Sequence, residues 1–294
     1  MPGSIAVIIP VYNGERFIRR SLDSVLRQTV TPAEIFVVDD GSKDATRQIL
    51  SAEYGDKVTL IVQQNGGPAK ARNAALRVAE SEFVAFLDAD DWWEPTKLER
   101  QLEAMQSRPD VVANYTGLHK VSETDGHIED ALPILPEKLW PMLRYCNPEI
   151  PPACVMARRD AVQKAGGFNE RQVGSEDWCL WFELHSLGPM SVCPEPLTDY
   201  RMSPGGLSGN GDHMFNDAMK MVDDVLLRGL SGVSRSIWRR RIVSYQAYKA
   251  CLTCRQAGDK AGERKYMKAS LAAWPSPFWV SERFKAYWVT LWRS

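Results

Sequence analysis

Phe83-Val84-Ala85-Phe86-Leu87-Asp88-Ala89-Asp90-Asp91 decides the reading of this chain. Five apolar residues without polar alternation read as a strand covered on both faces, as in a parallel sheet. Three carboxylates within the next four residues repel one another unless a cation shares them. Carboxylates alone, with no Cys or His beside them, suit a hard oxygen-seeking ion such as Mg2+ or Mn2+, which commonly binds through one or two carboxylates plus substrate phosphates. An exposed acidic turn has the same composition. The position at a strand's carboxyl end favours a ligand site.

The preceding residues repeat the pattern. Ile5–Pro10, Ile35–Val38 and Val58–Val62 read as further buried strands. Helical segments follow at Glu15–Gln28, from about Asp44, and at Pro68–Ala79. Phe17, Ile18, Leu22, Val25 and Leu26 share one face of the first. Strand and helix alternate, so a parallel sheet with helices on both faces is expected. Ligands of such sheets lie beyond the carboxyl ends of the strands. Pro10–Glu15, Asp39–Ser42, Gln64–Pro68 and Asp88–Asp91 should therefore converge on one edge. Asp39 and Asp40 could accept hydrogen bonds from a base or ribose, or cap the next helix, a role open equally to Ser42 and Asp44. Lys70 and Arg72 follow Gly66-Gly67 at a helix start, where Arg suits a phosphate clamp or an exposed helical charge. Tyr12 is placed to stack on a base or to pack.

Composition bounds the alternatives. The chain has 294 residues, a formal charge of −1, 44% hydrophobic and 25% charged residues. This excludes a disordered, collagen-like or small disulfide-stapled protein. No apolar run reaches the ~18 residues of a membrane span. No basic segment precedes an apolar run at the start, so no signal peptide is read, and a cytoplasmic location with six reduced thiols is expected. Charge is divided unevenly. Residues 221–294 hold 14 basic and 5 acidic side chains, +9, leaving 22 and 32, −10, on the rest. Five of the ten Trp lie in that tail.

Beyond a helix at Pro95–Met105 the pattern loosens. Val111–Tyr115, Leu118–Val121, Ala153–Ala157 and Leu197–Met202 read as strands, Ser122–Trp140 as loop-rich, and Arg159–Ala165 and Asp177–His185 as helices. Gly166-Gly167 supplies a left-handed stop. Ser203–Gly211 is too Gly-rich for regular structure and reads as a loop over a site. From about His213 the chain is helical, with a hairpin at Ile237–Leu252 and Lys260–Ala273. Phe278–Trp292 places Val280, Phe284, Tyr287, Trp288, Leu291 and Trp292 on one stripe. Three divisions are read: 1–105, 106–211 and 212–294.

Ile8-Ile9-Pro10-Val11-Tyr12-Asn13, Val37-Val38-Asp39-Asp40-Gly41-Ser42, Gln64-Asn65-Gly66-Gly67, Ala71-Arg72-Asn73 and Leu87-Asp88-Ala89-Asp90-Asp91, in this order, resemble glycosyltransferase family 2. Gly166-Gly167-Phe168 and Ser175-Glu176-Asp177-Trp178 extend the likeness, which covers residues 5 to about 205. It implies a GT-A fold, a Rossmann-like mixed sheet flanked by helices, here with a C-terminal helical extension. It implies an inverting transfer from a nucleotide-diphospho-sugar, UDP by default, with Mn2+ or Mg2+ as cofactor. Carried over by position, Pro10, Tyr12 and Asp40 would hold the base, with Asn65 and Arg72 nearby. Asp88 would face the ribose, Ala89 would belong to the nucleotide-sugar site, and Asp90, with Asp88, would lie at the metal. Asp177 would be the catalytic base, with Glu176 orienting it or the acceptor, and Trp178 and Trp181 would line the acceptor site or belong to the core. One departure is visible: Tyr200-Arg201-Met202-Ser203 lacks the His that many members carry there, and His213, Ser203 or Ser208 is left as its replacement.

The acceptor expected is a glycan or a lipid-linked sugar. Three readings of the basic tail stand side by side: residues 277–294 on an anionic membrane surface, a homodimer seam through the C-terminal helices, or a cap on the core. Arg239-Arg240-Arg241 beside aromatics fits a membrane surface better than nucleic acid, and Cys251-x-x-Cys254 in a helix reads as core thiols rather than zinc. Outside sugar transfer, two readings remain: a nucleotidyltransferase on a similar sheet, and a non-catalytic binding module.

Overall fold

The computed structural model describes residues 3–122, 126–172, 174–202 and 210–275. It divides into two compact units, Met1–Trp140 with Pro148–Ser203, and Pro141–Asn147 with Pro204–Ser294.

The first unit is built on one mixed sheet. Strands β1 (Ile5–Val11), β2 (Glu34–Asp39), β3 (Thr59–Val62) and β4 (Phe83–Phe86) are parallel, in the order β3-β2-β1-β4. The apolar runs have the cause assigned above: Ala6, Val7, Ile8, Ile9, Val84, Ala85 and Phe86 are fully buried. Helices α1 (Ile18–Leu26), α2 (Thr46–Glu53) and α3 (Pro68–Leu76) connect them. Ile18, Leu22 and Val25 of α1 are sealed into the core. In register, Val11 stands beside Asp39 and Asp39 beside Val62, so three strand ends align on one edge.

Beyond β4 the sheet changes direction. Strand β5 (Trp92–Trp93) and helix α4 (Lys97–Ser107) precede β6 (Ala113–Val121), β7 (His127–Ala131) and helix α5 (Pro136–Leu143). Then come β8 (Val155–Arg158), α6 (Arg159–Lys164), α7 (Glu176–Leu187) and β9 (Met190–Arg201). The order continues β4-β8-β6-β9-β5, with β7 paired to β6. Pairing is antiparallel except between β6 and β9.

Three local readings are corrected here. The two strands expected at 111–115 and 118–121 are one strand, carried through Gly117 by register irregularities against β9. The stretch 122–140 holds a hairpin strand and the start of a helix. The two-residue β5 was unread, since its pairing to Thr198 and Asp199 is what makes it a strand.

The second unit contains α8 (Gly211–Met221), a π-helical turn at Val222–Leu226, α9 (Gly232–Gln256) and α10 (Lys260–Ala273). The last two form the expected helical hairpin. Asp259 caps α10 by accepting from the Gly262 N–H at 2.9 Å. Cys251 and Cys254 pack with Ala247, Tyr266 and Met267, and all six cysteines are buried free thiols. The arginine triplet is engaged within this unit. Arg239 pairs with Asp223, Arg240 donates to the Ala273 carbonyl, and Arg241 lies over Trp274. The aromatic stripe at 278–292 lies outside the described residues.

Candidate active site

The loops beyond the parallel strands are tied together by short polar side chains. Asn13, at φ +52°, takes the Ser42 hydroxyl on its N–H and accepts from the Lys43 N–H. The Gly14 N–H donates to Thr46 Oγ1 at 2.8 Å. Asp39 accepts from the Ser42 N–H and from two nitrogens of Arg47. Burial works to raise Asp39, but Ser42 and the Arg47 guanidinium hold it below the ordinary carboxylate range. Its carboxylate is therefore engaged by Ser42 and Arg47.

Asp40 spends both oxygens on the next loop, accepting from Gln63 Nε2 at 2.7 Å and from the N–H groups of Gly66 and Gly67. Gly67 has φ +87°, a conformation open to glycine at little cost. Asp40 thus shapes the loop that carries the exposed Asn65. Pro10 is buried in β1, while Tyr12 just past it is 47% exposed and presents a ring to solvent at this edge. Lys70 is exposed.

Arg72 joins the two halves of the unit. It is 3% exposed, donates through Nη2 to Asp88 Oδ1 at 2.5 Å and through Nη1 to Glu176 Oε1 at 3.1 Å. Its guanidinium also lies 5.0 Å from the Phe168 ring centroid. Asp88 follows β4 and Glu176 opens α7, so the acidic turn and the helix start meet on one buried cation. Asn73, next in the chain, receives the Phe168 N–H on Oδ1 and donates to the Phe168 carbonyl, seating the turn that leads to α7. Glu176 and Asp177 lie in the first turn of α7, where acidic side chains complement the helix dipole. Asp177 is half-buried, and its Oδ1 accepts the Trp178 N–H at 2.6 Å.

The acidic turn is compact, its Asp91 N–H donating to the Asp88 carbonyl at 3.1 Å, with Ala89 half-buried between the carboxylates. Asp90 accepts from Arg201 Nη2 at 2.5 Å, and Asp91 accepts the Arg201 N–H at 2.9 Å. Burial first, then the Asp88 charge, pushes Asp90 up against the pull of Arg201. Burial and the charges of Asp90 and Asp88 push Asp91 further. Asp91 Oδ2 is buried without a hydrogen-bond partner. Crowded oxygen donors, one of them orphaned, are what a divalent hard cation would relieve, so these residues fit Mn2+ or Mg2+. The Tyr200 hydroxyl is raised mainly by burial and further by the charges of Asp91, Asp88, Asp90 and Asp177.

Arg201 and Tyr200, at the end of β9, complete this cluster beside the acidic turn without having been read as site residues. Their signal was the strand ending just before the Gly-rich segment. Trp178 and Trp181 are fully buried, and Trp181 Nε1 donates to the Ile150 carbonyl. They belong to the core, which corrects the acceptor-lining alternative. His213 lies on α8 in the second unit, its N–H bonded to Asn210 Oδ1. Ser203 and Ser208 lie outside the described residues.

Known proteins resemble this chain in sequence and in fold. The model of the glycosyl transferase family 2 matches residues 6–166. An uncharacterized glycosyltransferase of Nostoc sp. is 35% identical over 224 residues, 71% of this chain and 66% of that one. The chain spans 64% of the length of a similar uncharacterized protein from Rickettsia prowazekii. The putative teichuronic acid biosynthesis glycosyltransferase TuaG of Bacillus subtilis is 33% identical over 70% of this chain and 82% of its own. The UDP-Glc:alpha-D-GlcNAc-diphosphoundecaprenol beta-1,3-glucosyltransferase WfaP of Escherichia coli is 32% identical over 70% of this chain and 80% of its own. Among solved structures, S. aureus TarS 1–349 in complex with UDP-GlcNAc superposes with a TM-score of 0.59 at 20% identity, covering 90% of each chain. The mannosyltransferase PcManGT of Pyrobaculum calidifontis, in complex with GDP-Man and Mn2+, gives 0.60 at 19%, covering 99% of this chain and 87% of its own. With a GT-A sheet, its motifs in order along that sheet and a family model that spans more than half its length, the chain belongs to glycosyl transferase family 2.

Proposed function

We propose that the chain is an inverting glycosyltransferase that moves a sugar from a nucleotide-diphospho-sugar to an acceptor hydroxyl in cell-surface glycan synthesis. The observation that carries this reading is the Arg72 bridge, which holds the acidic turn after β4 against the start of α7. A UDP-sugar is the favoured donor, supported by the UDP-GlcNAc complex of TarS. A lipid-linked acceptor is supported by the one named for WfaP.

In this reading Tyr12 stacks on the base, Asn65 lies beside it on the loop braced by Asp40, and Asp88 faces the ribose. Asp90, with Asp88 and Asp91 beside it, holds Mn2+ or Mg2+. When bound, the cation neutralises charge on the departing diphosphate. Asp177 accepts the proton of the acceptor hydroxyl as its oxygen bonds to the anomeric carbon. The bond from that carbon to the diphosphate breaks on the opposite face, the nucleoside diphosphate leaves, and one displacement inverts the centre. Glu176, pinned by Arg72, fixes the turn from which Asp177 projects.

Among the described residues no helix is long and apolar enough to cross a membrane. An enzyme acting on lipid-linked acceptors would work at the inner membrane face, and residues 277–294 are the segment proposed for that contact. The reading is tested by thermal shift with UDP-, GDP- and dTDP-sugars, with and without Mn2+, followed by assay of nucleoside diphosphate release. A cation-dependent rise in Tm with one donor class is expected, since a ligand that binds only the folded state stabilises it. No shift with any donor overturns it. A shift without release in the presence of lipid-linked or glycan acceptors favours the non-catalytic alternative.

A further inference from the structure

The hairpin of β6 and β7 carries three metal-ligating side chains that the transfer reaction does not use. His119 Nδ1 lies 2.6 Å from Asp130 Oδ1, and His127 Nε2 lies 2.7 Å from the same oxygen. The three donor atoms all fall within 4.8 Å of one another. His119 and Asp130 are register partners and therefore share a face of the hairpin.

His127 should not share that face. It is three residues before Asp130, and a regular strand would turn it to the opposite side, towards the Lys120–Glu129 ion pair. The register shift between Lys120 and Val121 corrects this: Lys120 pairs with Glu129 but Val121 pairs with His127, so Ile128 is an extra residue. Such bulges re-aim side chains. Here the bulge brings the second imidazole onto the face that holds the first imidazole and the carboxylate.

From this geometry we propose that His119, His127 and Asp130 form a binding site for Zn2+, separate from the acidic turn after β4. Two imidazoles and one carboxylate are a borderline-soft donor set that suits zinc, whereas the all-oxygen set at Asp88 and Asp90 suits Mg2+ or Mn2+. Zn–N and Zn–O bonds of about 2.0–2.2 Å in a tetrahedral site require donors about 3.3 Å apart. The rings must retreat from Asp130 by only about 0.7 Å on that geometry, and the exposed side chains of His127 and Asp130 are free to do so. Asp199 of β9, the register partner of His119 on its other flank, feels the His119 ring and adds negative potential to this surface. The fourth position is open to water. The bound ion would staple β7, which pairs only with β6 among the described residues, to the sheet.

The test is calorimetric titration of the EDTA-stripped, dialysed full chain with Zn2+ in excess Mg2+, paired with the absorption spectrum of the Co2+-loaded protein. One ion per chain and the visible bands of tetrahedral Co2+ are expected. His127→Ala, at an exposed position, and Asp130→Asn should each weaken Zn2+ at least about tenfold. Asp90→Ala and His213→Ala should leave it unchanged. Absence of stoichiometric binding, binding that survives His127→Ala, or binding lost with Asp90→Ala would each overturn the proposal. The last result would leave the sugar-transfer reading standing, so the two fail separately.

Discussion

Arg201, the last residue of β9, places its guanidinium on the carboxylate of Asp90, 111 residues earlier in the chain, at 2.5 Å. The backbone of the same arginine holds Asp91. A fixed positive charge thus stands on the oxygen proposed as a metal ligand. Arg201→Gln should tighten Mn2+ binding by about fivefold, the worth of a partly exposed ion pair of about 1 kcal/mol. Titration calorimetry without donor checks this. Unchanged or weaker Mn2+ binding would show that the arginine and the ion do not compete.

Arg72 is the buried partner of two carboxylates, and its removal deprives both of their cation. Arg72→Met should cost about 3 kcal/mol in urea unfolding, the range for breaking a buried pair from one side. Glu176→Gln keeps an amide oxygen for Arg72 and should cost clearly less. Equal losses in the two variants would contradict the bridge as the source of the stability.

Asp177→Asn preserves size and should leave donor affinity within about twofold while lowering kcat by about a thousandfold, the scale of a lost general base. Steady-state kinetics separate the two effects. A near-normal kcat would move the proton to another group.

Lys97 is fully buried, donates to Gln101 Oε1 at 2.6 Å and lies over the Trp93 ring. Burial lowers it from 10.5 to about 7, against a smaller upward pull from Cys154 and Cys193. Between those values the folded chain has shed a proton that the unfolded chain keeps. The unfolded state binds more protons there, so this residue's contribution to stability rises with pH from about 7 to 10.5 and is flat below. Subtracting the stability-against-pH curve of Lys97→Met from that of the parent should reveal the rise. A flat difference would mean that the ammonium stays charged inside.

Asn73→Ala removes both hydrogen bonds to Phe168 and should cost about 2 kcal/mol, because the Phe168 N–H and carbonyl lose their partner. Gly167→Ala should be harsher still: Gly167 has φ +73°, and an added Cβ would sit 2.7 Å from Asn73 Oδ1. Denaturant midpoints rank the two. Tolerance of Gly167→Ala would argue against the tight seating of this turn.

The parallel half of the sheet was legible because its strands are covered on both faces. Ile5–Val11 and Phe83–Phe86 are uninterrupted apolar runs, each followed by its polar turn, and both features are local in sequence. What escaped notice depends on pairing across distance. Trp92-Trp93 is a strand only because Thr198 and Asp199 lie beside it. Arg201 reaches Asp90 only because β9 runs parallel to β6 and antiparallel to β5. Trp178 and Trp181 fall at helical spacing near a motif, which does not tell a core face from a lining one. Trp181 packs against Phe168, which Asn73 holds, and its Nε1 is tied to the Ile150 carbonyl.

The single guanidinium that serves Asp88 and Glu176 has an evolutionary consequence. Neither acid can be exchanged for a neutral residue without stranding part of a charge that solvent does not reach. The three positions should therefore drift as one inherited unit among descendants of this chain, while their exposed neighbours Asn65 and Lys70 remain free to vary with the molecule being recognised.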